Sequence, residues 1–155
     1  MDMQEKLKFK HAVKKIGIAI LEERVKTAQI AMQQAQESAN QEEKSSAGDK
    51  YETGRAMSQN ERDRNARQFE LAKRELLYLQ SLNVDVIYQS FEPGAVALCG
   101  EQYYFLSAGL GAVAIEQQKI LWISPQAPLG LAMRNKRAGD SFEFKKNTVD
   151  IIAIF

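Results

Sequence analysis

The residues best suited to chemistry crowd into one short stretch, "NQEEKSSAGDKYETG" at 40–54, which holds the carboxylates Glu42, Glu43, Asp49 and Glu52. Hard oxygen donors of this kind suit Mg²⁺, which takes only one or two carboxylates from a protein and keeps several waters. Asp49 and Glu52, three residues apart, also match a helix capping box, and Gly48 suits a chain reversal, so folding alone accounts for that pair. Glu42 and Glu43 gain nothing from capping. They are the carboxylates expected to approach a Mg²⁺ ion held mainly by a partner, with Asp49 assisting, and no intrinsic cofactor is expected.

Other chemistries lack their parts. His11, the only histidine, sits on a basic helix with no visible nucleophile and acid partner set and reads as a surface histidine, and one cysteine, Cys99, with one histidine cannot build a Cys/His metal cage. The "GLG" at 109–111 has neither the further glycine nor the lysine of a phosphate loop and reads as a strand turn. Lys6, Lys8, Lys10, Lys14, Lys15 and the arginines Arg62, Arg64 and Arg67 could face nucleic-acid phosphates, but a solvated helix exterior explains them. The net charge of +1 gives no bulk attraction to nucleic acid or membrane. No apolar run approaches the roughly 20 residues of a membrane span, and the basic N-terminus lacks a secretory signal. A lone cysteine in an apolar run fits a reducing compartment, so a soluble, cytoplasmic protein is expected.

Two elements must position the acidic stretch. All three prolines, nine of the thirteen aromatics and six of the nine glycines lie beyond Asn83, leaving a first half that can sustain long helices. Phe9, Val13, Ile16, Ile20, Ala28, Ala31, Ala35 and Ala39 form one apolar stripe. Tyr51, Ala66, Phe69, Ala72, Leu76 and Leu79 form a second. Joined by a short loop, the two predict an antiparallel coiled-coil hairpin over residues 4–81, an arm about 50 Å long. Residues 1–82 are thus the hairpin domain with its acidic tip at 42–49, and residues 83–155 a small α+β domain. Strands are predicted at 95–99, 102–107, 111–116, 119–123, 141–145 and 148–154, with turns at Gly100-Glu101, Gly109 and Lys146-Asn147. One short helix is predicted with Ser124 as N-cap, Pro125 at its first position, and Asn135 taking the left-handed conformation at its end.

A helical hairpin with an acidic tip, followed by a small α+β domain, resembles the Gre family of transcript-cleavage factors, GreA and GreB, over almost the whole chain. The most specific likeness is "SPQAPLGLAMRNKRAGDSFEF" at 124–144, similar to the family's Ser-Pro, Pro-Leu, short helix and Gly-Lys-x-x-Gly-Asp pattern, with Asn135 where glycine is usual. "KYETGR" at 50–55 is similar to the start of the family's second helix. The resemblance implies an FKBP-like fold for the C-terminal domain, which would dock at the rim of the RNA polymerase secondary channel. Pro125, Pro128, Leu129, Lys136, Arg137 and Asp140 are the expected contacts. The arm would pass down the channel and bring the tip carboxylates to a shared Mg²⁺ near the 3′ end of nascent RNA, assisting the polymerase's own hydrolysis of backtracked transcript. Gre tips usually place two acids three residues apart ahead of the tyrosine; anchored on Tyr51, those places hold Ser45 and Gly48. A non-cleaving regulator occupying the same channel is therefore the nearest rival. From other classes, Tyr103, Tyr104, Phe105 and Trp122 could line a prolyl isomerase pocket, and the arm could serve as an adaptor for an unrelated assembly.

Overall fold

The structure is a computed structural model describing residues 1–43 and 48–155, with side chains described for all of these except 42, 43, 48–53 and 55. A helical hairpin, α1 at Met3–Glu43 and α2 at Gly48–Ser81, precedes a small α+β region. That region holds β1 (Val96–Cys99), β2 (Gln102–Leu106), β3 (Gly111–Ile115), β4 (Gln118–Ile123), α3 (Pro128–Met133), β5 (Ser141–Phe144), β6 (Asn147–Asp150) and β7 (Ala153–Ile154). By compactness the chain forms two units, one of residues 1–18 and 78–155, the other of residues 19–77.

In the first unit, α1 starts on a reciprocal capping box. The Asp2 N–H donates to the Glu5 carboxylate and the Glu5 N–H to the Asp2 carboxylate, both at 2.8 Å. Five strands form one sheet in the order β3-β4-β2-β1-β7, with only β2 and β4 parallel; β5 and β6 pair separately. Because successive side chains alternate between faces, Val96, Phe105 and Trp122, aligned across β1, β2 and β4, share one face. The first turns of α1 lie on it. A Cβ at Gly17 would overlap the Trp122 ring and sit 2.9 Å from Leu79, so only glycine lets the helix come this close. Phe9 stacks 5.0 Å from Tyr103, and Phe105 meets Trp122 edge-on at 4.7 Å. On the opposite face Ala97, Cys99, Leu106, Ile123 and Ile154 pack with Phe91, Met133, Phe142 and Ile151.

The region from β4 to β7 departs from the predicted pattern in three places. Helix α3 begins at Pro128 with Ala127 as its N-cap, three residues later than the expected start at Pro125 with Ser124 as cap. The residue before a proline is driven out of the helical region, and Ala127 accordingly sits at φ −65°, ψ 151°. Helix therefore cannot run from Pro125 through it, and the chain turns there with the Ala127 N–H donating to the Ser124 carbonyl at 3.2 Å. The predicted last strand divides. Ile151 bonds Asp140 and Gly139 beside the β5–β6 pair, the Ile152 N–H donates to Leu98, and Phe155 exchanges two bonds with Val96, carrying the chain from one sheet to the other. The last hairpin turns at Lys145-Lys146, one residue earlier than expected, with both lysines at positive φ (51° and 66°) as a type I′ turn requires.

In the second unit, α1 and α2 run antiparallel. Arg62 donates to the Gln36 side chain at 3.0 Å and Asn65 to the Ala31 carbonyl at 3.5 Å, so positions advance on one helix as they recede on the other. Ala35, Ala39 and Ala72 are buried, and Leu21, absent from the predicted stripe, is wholly buried while Ile20 is not. Between 23–31 and 65–75 the small residues leave a groove of about 400 Å³ floored by Ala28, Ala31 and Ala72.

Candidate functional site

The six motif residues expected to meet a partner are placed by α3 and the turns on either side of it. Pro128 is exposed at the head of α3, and Pro125 is half-buried beside a groove of about 410 Å³ whose walls include Pro93, Leu131, Arg134 and Asn135. Leu129 turns inward against the core. The groove floor is Gly130, where a Cβ would collide with the Ser124 carbonyl. Leu131, which the sequence reading passed over, stands 57% exposed on the groove wall. Its signal was present, because one position separates the inward and outward faces of so short a helix.

The residues after α3 are held by backbone. Asn135 has φ 61°, the left-handed conformation expected of it. This brings its N–H to the Phe91 carbonyl at 3.0 Å, while the Phe91 N–H donates to the Lys136 carbonyl at 2.8 Å. Asp140 closes a turn: its carboxylate accepts from the Arg137 N–H at 2.8 Å and its own N–H donates to the Arg137 carbonyl at 3.0 Å. Asp140 and Arg137 thus have a local structural task, and both remain exposed.

Helix α2 is assigned from Gly48, so Asp49 falls inside its first turn and not at the N-cap position expected of it. The side chains of Glu42, Glu43, Asp49, Tyr51 and Glu52 lie outside the described residues. Among the described residues no group of three or more His, Cys, Asp or Glu is placed to hold a metal ion.

The basic N-terminal face is not uniformly solvated, contrary to the sequence reading. Lys10 is wholly buried; its Nζ donates to the Val86 carbonyl at 2.7 Å and lies 4.4 Å from the centre of the Tyr88 ring. Burial lowers its pKa to about 8. Lys14 donates to the Gln80 and Leu82 carbonyls at 3.0 and 2.7 Å, capping the end of α2. His11, a surface histidine as expected, stands 2.7 Å from Asp85. Three side chains of α1 thereby pin the segment 80–88 that leads into the sheet.

The four aromatics considered for an isomerase pocket divide by strand alternation: Tyr103, Phe105 and Trp122 face α1, Tyr104 the other side, and Phe105 and Trp122 are core. Burial pushes the Cys99 thiol up to about 11, so it stays protonated and unreactive. Among the described residues no helix is long and apolar enough to cross a membrane.

No protein-family model matches the chain, and no curated protein does. Among solved structures it is similar in outline to one titled "Structure of the transcription factor Gfh1", at 16% identity and a TM-score of 0.37, over 89% of this chain and 92% of that one. The functional reading rests on this chain's own residues.

Proposed function

We propose that the chain is a Gre-like elongation factor that binds RNA polymerase at its secondary channel through residues 83–155 and modulates elongation with the loop end of its helical arm. The observation that carries this reading is the motif at 124–144 following a two-helix arm. Its Pro-Leu-Gly helix seats Gly130 against the Ser124 carbonyl, its Asn135 takes the left-handed turn, and its Asp140 closes the next one. Such detail at those positions gives the resemblance a physical basis.

Glu42 and Glu43 are the carboxylates proposed to approach Mg²⁺ held by the polymerase, since paired hard donors suit that ion and no folding role claims them. The chain would be an accessory to the polymerase's own hydrolysis and not an enzyme in itself. Ser45 and Gly48, at the places where Gre tips carry acids, favour a second reading in which the arm occupies the channel without chemistry. Association with the cognate polymerase in a pull-down tests the shared part, and its absence defeats both readings. Incubating stalled elongation complexes with the protein and Mg²⁺ separates them. Shortened transcripts, lost in Glu42→Ala/Glu43→Ala, support cleavage; unshortened transcripts with altered elongation rate support occupation.

A further inference from the structure

The loop-side half of the helical arm is apolar on one helix only. On α1, Ala35 and Ala39 are 4% and 2% exposed, whereas no apolar side chain described on α2 between 54 and 66 is buried. Arg62 and Asn65, both half-buried, face α1 in that stretch instead, at the place where a coiled coil carries its apolar seam. Alanine methyls against polar side chains remove little apolar area from water, so burial contributes little to closing this part of the arm. Hydrogen bonds must do more. Arg62 Nη1 donates to Gln36 Oε1 at 3.0 Å, and Gln36 Nε2 donates along α1 to Asn40 Oδ1 at the same distance. The other guanidinium nitrogen, Nη2, stands 3.5 Å from Asp63, and Asn65 donates to the Ala31 carbonyl at 3.5 Å. Two of these bonds cross from helix to helix, and the shorter has a charged donor, the stronger kind.

We infer that Arg62 is a positioning residue: with Gln36, Asn40 and Asn65 it forms a polar clasp that holds the loop-side half of α2 against α1. The network is chained, since Gln36 accepts from Arg62 with its oxygen and donates to Asn40 with its nitrogen, so each bond orients the next. In the sequence Arg62 reads as part of a solvated exterior, because nothing in a run of charges marks the one that turns inward. Residues 31–66 lie in one compact unit, so the clasp acts within the arm and does not depend on the polymerase reading.

Amide hydrogen exchange on the full chain tests the clasp, read at the amides of 31–39 and 58–66 and, for comparison, at those of β1, β2 and β4. Arg62→Met keeps an unbranched stem over the alanines and a similar helix propensity but removes the donors. It should speed exchange in both arm segments about fivefold or more, the effect of losing one net hydrogen bond, and Arg62→Ala should do the same. Gln36→Glu turns the acceptor into a carboxylate and should slow exchange there about twofold or more. Strand amides should keep the parent's rates in all three variants. Exchange in Arg62→Met as slow as in the parent would mean that the stem's packing, and not the bond, holds the arm, and would overturn the inference. Equal acceleration in the strands, or no slowing in Gln36→Glu, would overturn it too.

Discussion

Lys10 offers a quantitative test of how the base of α1 is held. Its ammonium is wholly buried, and burial moves its pKa from 10.5 to about 8. At about 1.4 kcal/mol per pH unit, the charged form is disfavoured in the folded protein by roughly 3 kcal/mol. Between the folded and unfolded pKa values the unfolded chain keeps a proton that the folded chain has released, so stability rises with pH from about 8 to about 10.5. The penalty is fully present below that window. Lys10→Met keeps an unbranched side chain and removes the titration. At neutral pH the variant loses the bond to the Val86 carbonyl, a cost of about 1–3 kcal/mol, and is relieved of a desolvation penalty of similar size. It should therefore lie within about 2 kcal/mol of the parent, on either side. Urea unfolding at about pH 7 and about pH 10 then compares the two proteins, and the difference should move by roughly 3 kcal/mol in favour of the parent. Burial raises the pKa values of Tyr78, Tyr88 and Tyr104, which lowers stability as pH approaches and passes 10; both proteins carry these tyrosines, so the effect drops out of the difference between them. A difference that is flat across the range refutes the burial of a charged Lys10.

Gly17→Ala raises helix propensity by about 1 kcal/mol, yet should destabilise the protein by about 1–3 kcal/mol in thermal or urea unfolding, because its methyl overlaps Trp122. Lys145→Asn/Lys146→Gly places the usual type I′ pair where two lysines now hold positive φ, and should stabilise by about 1 kcal/mol with a higher melting temperature. Asp140→Ala removes the carboxylate that accepts from Arg137 and should cost about 1 kcal/mol, while Asp140→Asn recovers most of it; amide exchange at Arg137 reports the loss directly.

The hairpin was legible because eighty residues without proline and two apolar stripes leave little else for the chain to do. Strand positions were legible from their turns. The capping box at Asp2 and Glu5 has the same spacing, three residues apart, as Asp49 and Glu52, and was equally legible in the sequence. Lys10 was not legible: a lysine among lysines on a helix gives no sign that one of them faces a carbonyl seventy-six positions away. The start of α3 misled because two prolines compete for the first helical position, and only the constraint each places on its predecessor tells them apart. The passage of Ile151 and Ile152 between sheets followed no local pattern, since a run rich in β-branched residues is equally consistent with one strand or two. Of the candidate site, the left-handed turn at Asn135 was legible from its residue type, whereas the close seat of Gly130 on the Ser124 carbonyl and the turn closed by Asp140 depend on backbone contacts that no local pattern spells out.

The compact unit that contains the sheet is discontinuous in sequence, drawing on residues 1–18 as well as 78–155. Phe9 lies 6.0 Å from Phe155 and 5.0 Å from Tyr103, so the first turns of α1 seat on residues far along the chain. A nascent chain emerging from the ribosome can therefore zip its arm while the rest is still being made, whereas the sheet closes only after synthesis of the described sequence is complete. Removing Phe155, or truncating beyond Phe9, would strip the same aromatic cluster, and cutting at Asn83 would yield a sheet whose Trp122 face meets water.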